Sequence, residues 1–181
     1  MEILIIVILL IALFPFWVVS TRRRLTVMNE NVESAVNQIG VQLSSRYDML
    51  AAALNQAKDY DVRTACNLIA KVNFHRCVIT SVSTTGEVME QEKMIQSVLE
   101  ELEKMVRQHP EINENKDYSK FMEAVDSYGR MLQTSTLIYN DSVTKFNRAV
   151  CMMPAKLIAG IMGFQPVSYT HLRAHETLSD L

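Results

Sequence analysis

YSKFMEAVDSYGRMLQTSTLIYNDSVTKFNRA, residues 118–149, places Tyr118, Phe121, Val125, Tyr128, Leu132, Ser135, Tyr139, Ser142, Phe146 and Ala149 at alternating steps of three and four. Those steps return a side chain to one side of an α-helix, so the stretch predicts a helix of about 36 residues with a continuous seam for helix partners. Ser135 and Ser142 are small enough to let a neighbouring helix approach. Working toward the N-terminus, Val88, Ile95, Val98, Leu102, Met105 and Val106 predict a second seam that stops near His109 and Pro110. Thr84 with Glu87 three residues later reads as a capping box opening that helix. A further helix is expected over residues 59–82. From Thr26 onward Met28, Val32, Ala35, Val36, Ile39, Leu43, Leu50 and Leu54 continue the pattern. Gly40 lies inside it, where glycine costs about 1 kcal/mol against alanine without breaking a helix.

Composition agrees. The 181 residues include only 5 Gly and 4 Pro, which favours long helices over a turn-rich β fold. The expected class is all-α: an N-terminal transmembrane helix continuing into an antiparallel four-helix, coiled-coil-like bundle. The expected boundaries are 1–20 for a signal-anchor, 21–167 for the bundle and 168–181 for a non-native or disordered tail.

The anchor rests on the seventeen uncharged residues from Ile3 to Val19, followed by Arg22, Arg23 and Arg24. As a helix the run spans roughly 25 Å, the lower end of what crosses a bilayer core. Phe14 and Trp17 suit an interface, and the three arginines place the bundle in the cytoplasm with the N-terminus outside. A cleaved signal peptide fits less well. Glu2 occupies the place of a basic n-region, and bulky Phe14, Phe16 and Trp17 stand where small residues are needed.

If the long helices run up and down, the chain returns to the membrane level at residues 152–164, apolar nearly all round with only Lys156 charged. Pro154, Leu157, Ile158, Ile161, Gly163 and Phe164 are expected to cap the bundle or to lie in the headgroup boundary. Equal rise per residue sets positions on the first and last helices opposite each other when their numbers sum to about 173. Asn31 then faces the level of Asn140 and Asp141, and Arg46 that of Asp126. Buried polar groups need partners, so Asn31, Gln38, Gln42, Arg46, Asp126, Tyr139, Asn140, Asp141 and Asn147 are the candidate structural or interaction residues.

Catalytic chemistry finds no footing. No glycine-rich phosphate loop, nucleophile elbow or C-x-x-C pair occurs. Cys66, Cys77 and Cys151 are odd in number and expected to be buried as small hydrophobes, with the first two on one helix. His171 and His175 are four apart but lack the glutamate that a metalloprotease places after its first histidine. No metal or cofactor is expected, and a formal charge of −2 argues against nucleic acid.

The segments NENVESAVNQIGVQLSSRYDML (29–50), YNDSVTKFN (139–147) and MPAKLIAGIMGFQPV (153–167) resemble the LemA family of single-pass bacterial membrane proteins. Val36 stands where that family commonly has a tryptophan, and Ala51 and Ala52 replace a Pro-Asn pair. The resemblance implies an anchored helical bundle and no reaction. Residues 168–181 depart from it and look like translated sequencing-adapter read-through. The expected role is a scaffold or interaction module at the bacterial cytoplasmic membrane. Lipid sensing, membrane remodelling and signal transduction are the alternatives, with membrane lipid and another membrane or envelope protein as partners and a homo-oligomer allowed.

Overall fold

The computed structural model describes residues 2–81 and 83–167, with side chains from Ala12 onward. Five α-helices follow one another: α1 (Glu2–Ala57), α2 (Val62–His75), α3 (Thr85–Gln108), α4 (Lys116–Cys151) and α5 (Ala155–Met162), with a 3-10 turn at Pro110–Glu114 before α4. The all-α class holds.

The longest pairing is α1 against α4. On α1 the buried residues Leu25, Val32, Ile39, Arg46 and Ala53 stand seven apart, as do Val36, Leu43, Leu50 and Ala57. On α4, Tyr118, Val125, Leu132, Tyr139 and Phe146 do the same, joined by Thr136, Val143 and Val150. These are heptads, and they lay one continuous seam along each helix. Met28 lies with Lys145, and Ala35 with Ile138, around one groove, so the two helices are antiparallel. α2 and α3 pack against each other and against α1. The seam of α3 adds Val88, Gln91, Ile95, Val98, Leu102 and Met105 to the same core.

Local signals explain the helix ends. Thr84 accepts from the Glu87 N–H while the Glu87 carboxylate accepts from the Thr84 N–H, completing the capping box. Asn115 caps α4 by accepting from the N–H groups of Asp117 and Tyr118.

The second helix is shorter than expected. α2 stops at His75, and Arg76 turns the chain into extended backbone at φ −64°, ψ 119°. Val78, Ile79 and Thr80 are β-branched and favour that conformation, and buried Ile79 settles on α1 at Gly40. A Cβ on Gly40 would overlap the Ile79 carbonyl oxygen and come within 3.1 Å of its carbon. Glycine is therefore required here by close approach of two backbones. Gly40→Ala is expected to lower stability by about 1–2 kcal/mol despite alanine's better helix propensity; urea melts of the two proteins check this, and a more stable variant would refute the contact.

The expected membrane anchor is corrected. Among the described residues no helix is long and apolar enough to cross a membrane. After Val19 the helix α1 passes to Ser20, Thr21 and three arginines. Ile3 and its neighbours to residue 11 lie outside the described side chains. The single-pass topology, and the cytoplasmic-membrane location inferred from it, are corrected with the anchor.

Two further expectations change. Cys66, Cys77 and Cys151 are all exposed rather than buried. Cys66 sits one position past the buried Ala65, Cys77 lies beyond the end of α2, and Cys151 ends α4. The cap is only half a cap: Ile158 and Ala159 are buried, whereas Leu157 and Ile161, four apart on the opposite stripe, are 61% and 87% exposed. Pro154 precedes α5 and is exposed. The chain then closes over α4. Gly163 adopts φ 74°, Phe164 N–H donates to the Ala159 carbonyl at 3.0 Å, and the Phe164 ring meets Phe146 edge-on at 6.2 Å. Asn147 holds both polar groups of Val167, accepting from its N–H at 2.8 Å and donating to its carbonyl at 2.9 Å. The expected tail, residues 168–181 with His171 and His175, lies outside the described residues.

Candidate functional site

Two polar neighbourhoods interrupt the apolar seams. The first is a buried layer toward the C-terminal end of α1. Arg46 occupies a heptad core position with 7% of its surface exposed, and its guanidinium lies over Gly129, where a Cβ would stand 3.2 Å from Cζ. A Cβ at this position of α4 would press on the guanidinium by a few tenths of an ångström. Burial holds the Arg46 pKa below the usual arginine value, opposed by the carboxylates of Glu92 and Asp126. The Nε of Arg46, Oε1 of Gln42 and Oε1 of Gln91 are buried without a hydrogen-bond partner. Sequence reasoning therefore brought Arg46 to the level of Asp126 through helix rise alone, while Glu92 and Gly129 went unread.

Tyr47 joins the layer to α3, donating its hydroxyl to the Gln91 carbonyl at 3.1 Å. The Gln91 amide in turn donates to the His75 carbonyl at 2.7 Å, at the end of α2. Outside the layer Arg76 closes the loop onto α1 through Asp48 at 2.6 Å and Ser44 at 2.8 Å. One contiguous polar chain thus ties α1, α2 and α3 at a single level. Burial raises the Tyr47 pKa to about 12, against the lowering pull of Arg46 and Arg76. A phenol whose folded pKa is raised contributes stability that is complete below its unfolded value near 10 and is lost as pH climbs through 12. Stability should therefore fall by about 2 kcal/mol more in this protein than in Tyr47→Phe between pH 9 and 12. Parallel curves from chemical denaturation in that range would refute the assignment.

The second neighbourhood is a groove of about 310 Å³ between α1 and α4. Its floor is Met28, Ala35 and Ser142, and Asn31, Gln38, Ile138 and Asp141 stand along its walls. Asn31, Gln38 and Asp141, singled out from the sequence, meet here. Lys145 completes the rim, paired with Asp141 across one helical turn at 2.6 Å. Of the remaining candidates, Tyr139 is buried in the seam, Asn140 is half-buried beside the groove, and Asn147 is spent on Val167. Gln42 and Arg46 belong to the buried layer. Among the described residues no group of three or more His, Cys, Asp or Glu is placed to hold a metal ion.

The family model that matches this helical framework is that of the LemA family, over residues 35–179. The chain belongs to the LemA family. No curated protein and no solved structure matches it. LemA-family proteins are not known enzymes. The matched range begins within α1, takes in the buried layer and most of the groove of this LemA chain, and runs past Val167 to residue 179. The break in family pattern read after Val167 is therefore not where the match ends.

Proposed function

We propose that this LemA-family protein works by binding, as a helical interaction module whose docking surface is the groove between α1 and α4. The observation that carries the reading is the lining of that groove: a narrow floor with Ala35 and Ser142, the Ser34 side of α1, and polar Asn31, Gln38 and Asp141 beside apolar Ile138. Small floor residues admit another backbone, and amide groups beside an apolar shoulder recognise one face of an amphipathic helix. Ile138 on the groove is itself 52% exposed. A helix laid here would cover it. The fitting partner is thus an amphipathic helix of another protein.

A photo-crosslinking amino acid at Ile138 of the full chain in its native cells, against the same group at exposed Lys104 on α3, tests this. A discrete adduct is expected from position 138 alone, and it should vanish with Ser34→Trp, which fills the groove while leaving the circular dichroism helical. Identical adducts from both positions, or an adduct that survives Ser34→Trp, would overturn the reading. An adduct of twice the chain mass would reject a separate partner in favour of a second copy.

A further inference from the structure

Charge is unevenly distributed along the bundle. Residues 12–29 and 142–167 contain Arg22, Arg23, Arg24, Lys145, Arg148 and Lys156 and not one Asp or Glu, in a chain whose formal charge is −2. Where these segments meet, at the junction of α1, α4 and the start of α5, a pocket of about 570 Å³ opens. Arg24, Lys145 and Arg148 line it together with Trp17, Met152 and Met153. Lys145 is engaged by Asp141. Among the described residues Arg24 and Arg148 take part in no ion pair.

We infer that this pocket binds an anionic amphiphile, with a phosphate group against Arg24 and Arg148 and the apolar portion on Trp17, Met152 and Met153. Guanidinium groups pair with phosphate in a two-pronged, charge-assisted geometry. Two of them from different helices, without a competing carboxylate on either segment, create a local field selective for anions. The apolar half of the pocket argues against a bare anion as the ligand. Unbranched, polarisable Met152 and Met153 adapt to a chain of variable shape, and the indole of Trp17 offers a flat apolar wall. Among the described residues both methionines are exposed, at 52% and 65%. The pocket adjoins the α1–α4 groove, sharing Met28 and Lys145 with it, but the inference rests on Arg24, Arg148, Trp17, Met152 and Met153, none of which lines the groove.

Trp17 is the only tryptophan in the chain, so its fluorescence reports on this pocket directly. The full chain is titrated with dihexanoyl phosphatidic acid below its micellar concentration, with dihexanoyl phosphatidylcholine and inorganic phosphate in parallel. A saturable blue shift is expected with phosphatidic acid and not with the zwitterion. Arg24→Gln and Arg148→Gln should each weaken binding roughly tenfold, as expected for a lost charge-assisted contact, while Arg63→Gln on α2 leaves it unchanged. Unchanged circular dichroism assures that the variants are folded. An equal response to phosphatidylcholine, or equal affinity in the arginine variants, overturns the site. Inorganic phosphate binding as tightly as the amphiphile overturns the apolar half of the assignment. Binding seen with anionic vesicles but absent with monomeric lipid overturns the pocket in favour of a diffuse charged surface.

Discussion

Phe146→Ala is expected to lower the unfolding free energy by about 3–5 kcal/mol, the range for truncating a fully buried aromatic side chain. Phe146 is 1% exposed. It lies in the heptad seam of α4 and receives the edge of Phe164 at 6.2 Å, so its loss leaves a cavity lined by two segments that cannot both collapse into it. Ending the chain after Cys151 removes Phe164, Ile158 and Val167 and should also destabilise. Because the two changes share one contact, they should combine to less than their sum, with a coupling of about 0.5–3 kcal/mol. Urea denaturation of the four proteins measures this. Strict additivity would mean that α5 and the segment after it do not pack on Phe146.

Arg46→Met should move stability the other way, upward by about 1 kcal/mol, since neither Glu92 nor Asp126, the carboxylates that face it, is itself buried. The guanidinium loses its hydration at a core position, its Nε finds no acceptor, and the nearby carboxylate of Asp126 is exposed and partly screened by solvent. Methionine has a comparable unbranched stem and no charge to desolvate. Asp126 already faces water. Arg46→Ala, by contrast, should destabilise, since it leaves a void over Gly129 that no side chain can fill. A lower melting temperature for Arg46→Met would show that the layer is satisfied in a way its buried Nε does not reveal.

The helical class and the seams were legible because side chains three and four residues apart share a face, and nothing in α3 or α4 conflicts with that period. The capping box of Thr84 and Glu87 was equally plain, as its two hydrogen bonds are local. On α4 the reading leaned on Tyr128 and Ser142, which are half-buried, and passed over Thr136, Val143 and Val150, which complete the heptads. The error is one of phase: a stripe of alternating threes and fours can be drawn along two adjacent lines of a helix, and only the partner decides between them. The end of α2 was misplaced because Val78, Ile79 and Thr80 are apolar enough to extend a helical pattern on paper. What stops the helix is a distant event, the docking of Ile79 on Gly40.

Of the candidate site, helix rise alone brought Asn31 to Asp141 and Arg46 to Asp126. It could not find Gly129, whose meaning is the room it gives Arg46, or Gln91, which reads as an ordinary exposed glutamine until its seam position is known. The anchor was misread from hydropathy. Counting uncharged residues treats the run as a unit, whereas among the described residues no helix is long and apolar enough to cross a membrane. Leu157 and Ile161 were assigned to the cap by the same habit. An apolar helix of eight residues has a second stripe, and that one faces outward.

The unbroken heptads of α1 have a mechanical corollary. Val32, beside the groove, and Arg46, in the buried layer, are two repeats apart on a helix with no interruption between them, so their angular phase is locked. Removing one residue from the stretch would turn everything on one side of the cut by about 100° relative to the other. The arginine would swing out of the seam, or the groove would rotate its amides away from Asp141, and no side-chain adjustment could restore both. Substitutions along this stretch act locally; insertions and deletions act like a slipped gear tooth.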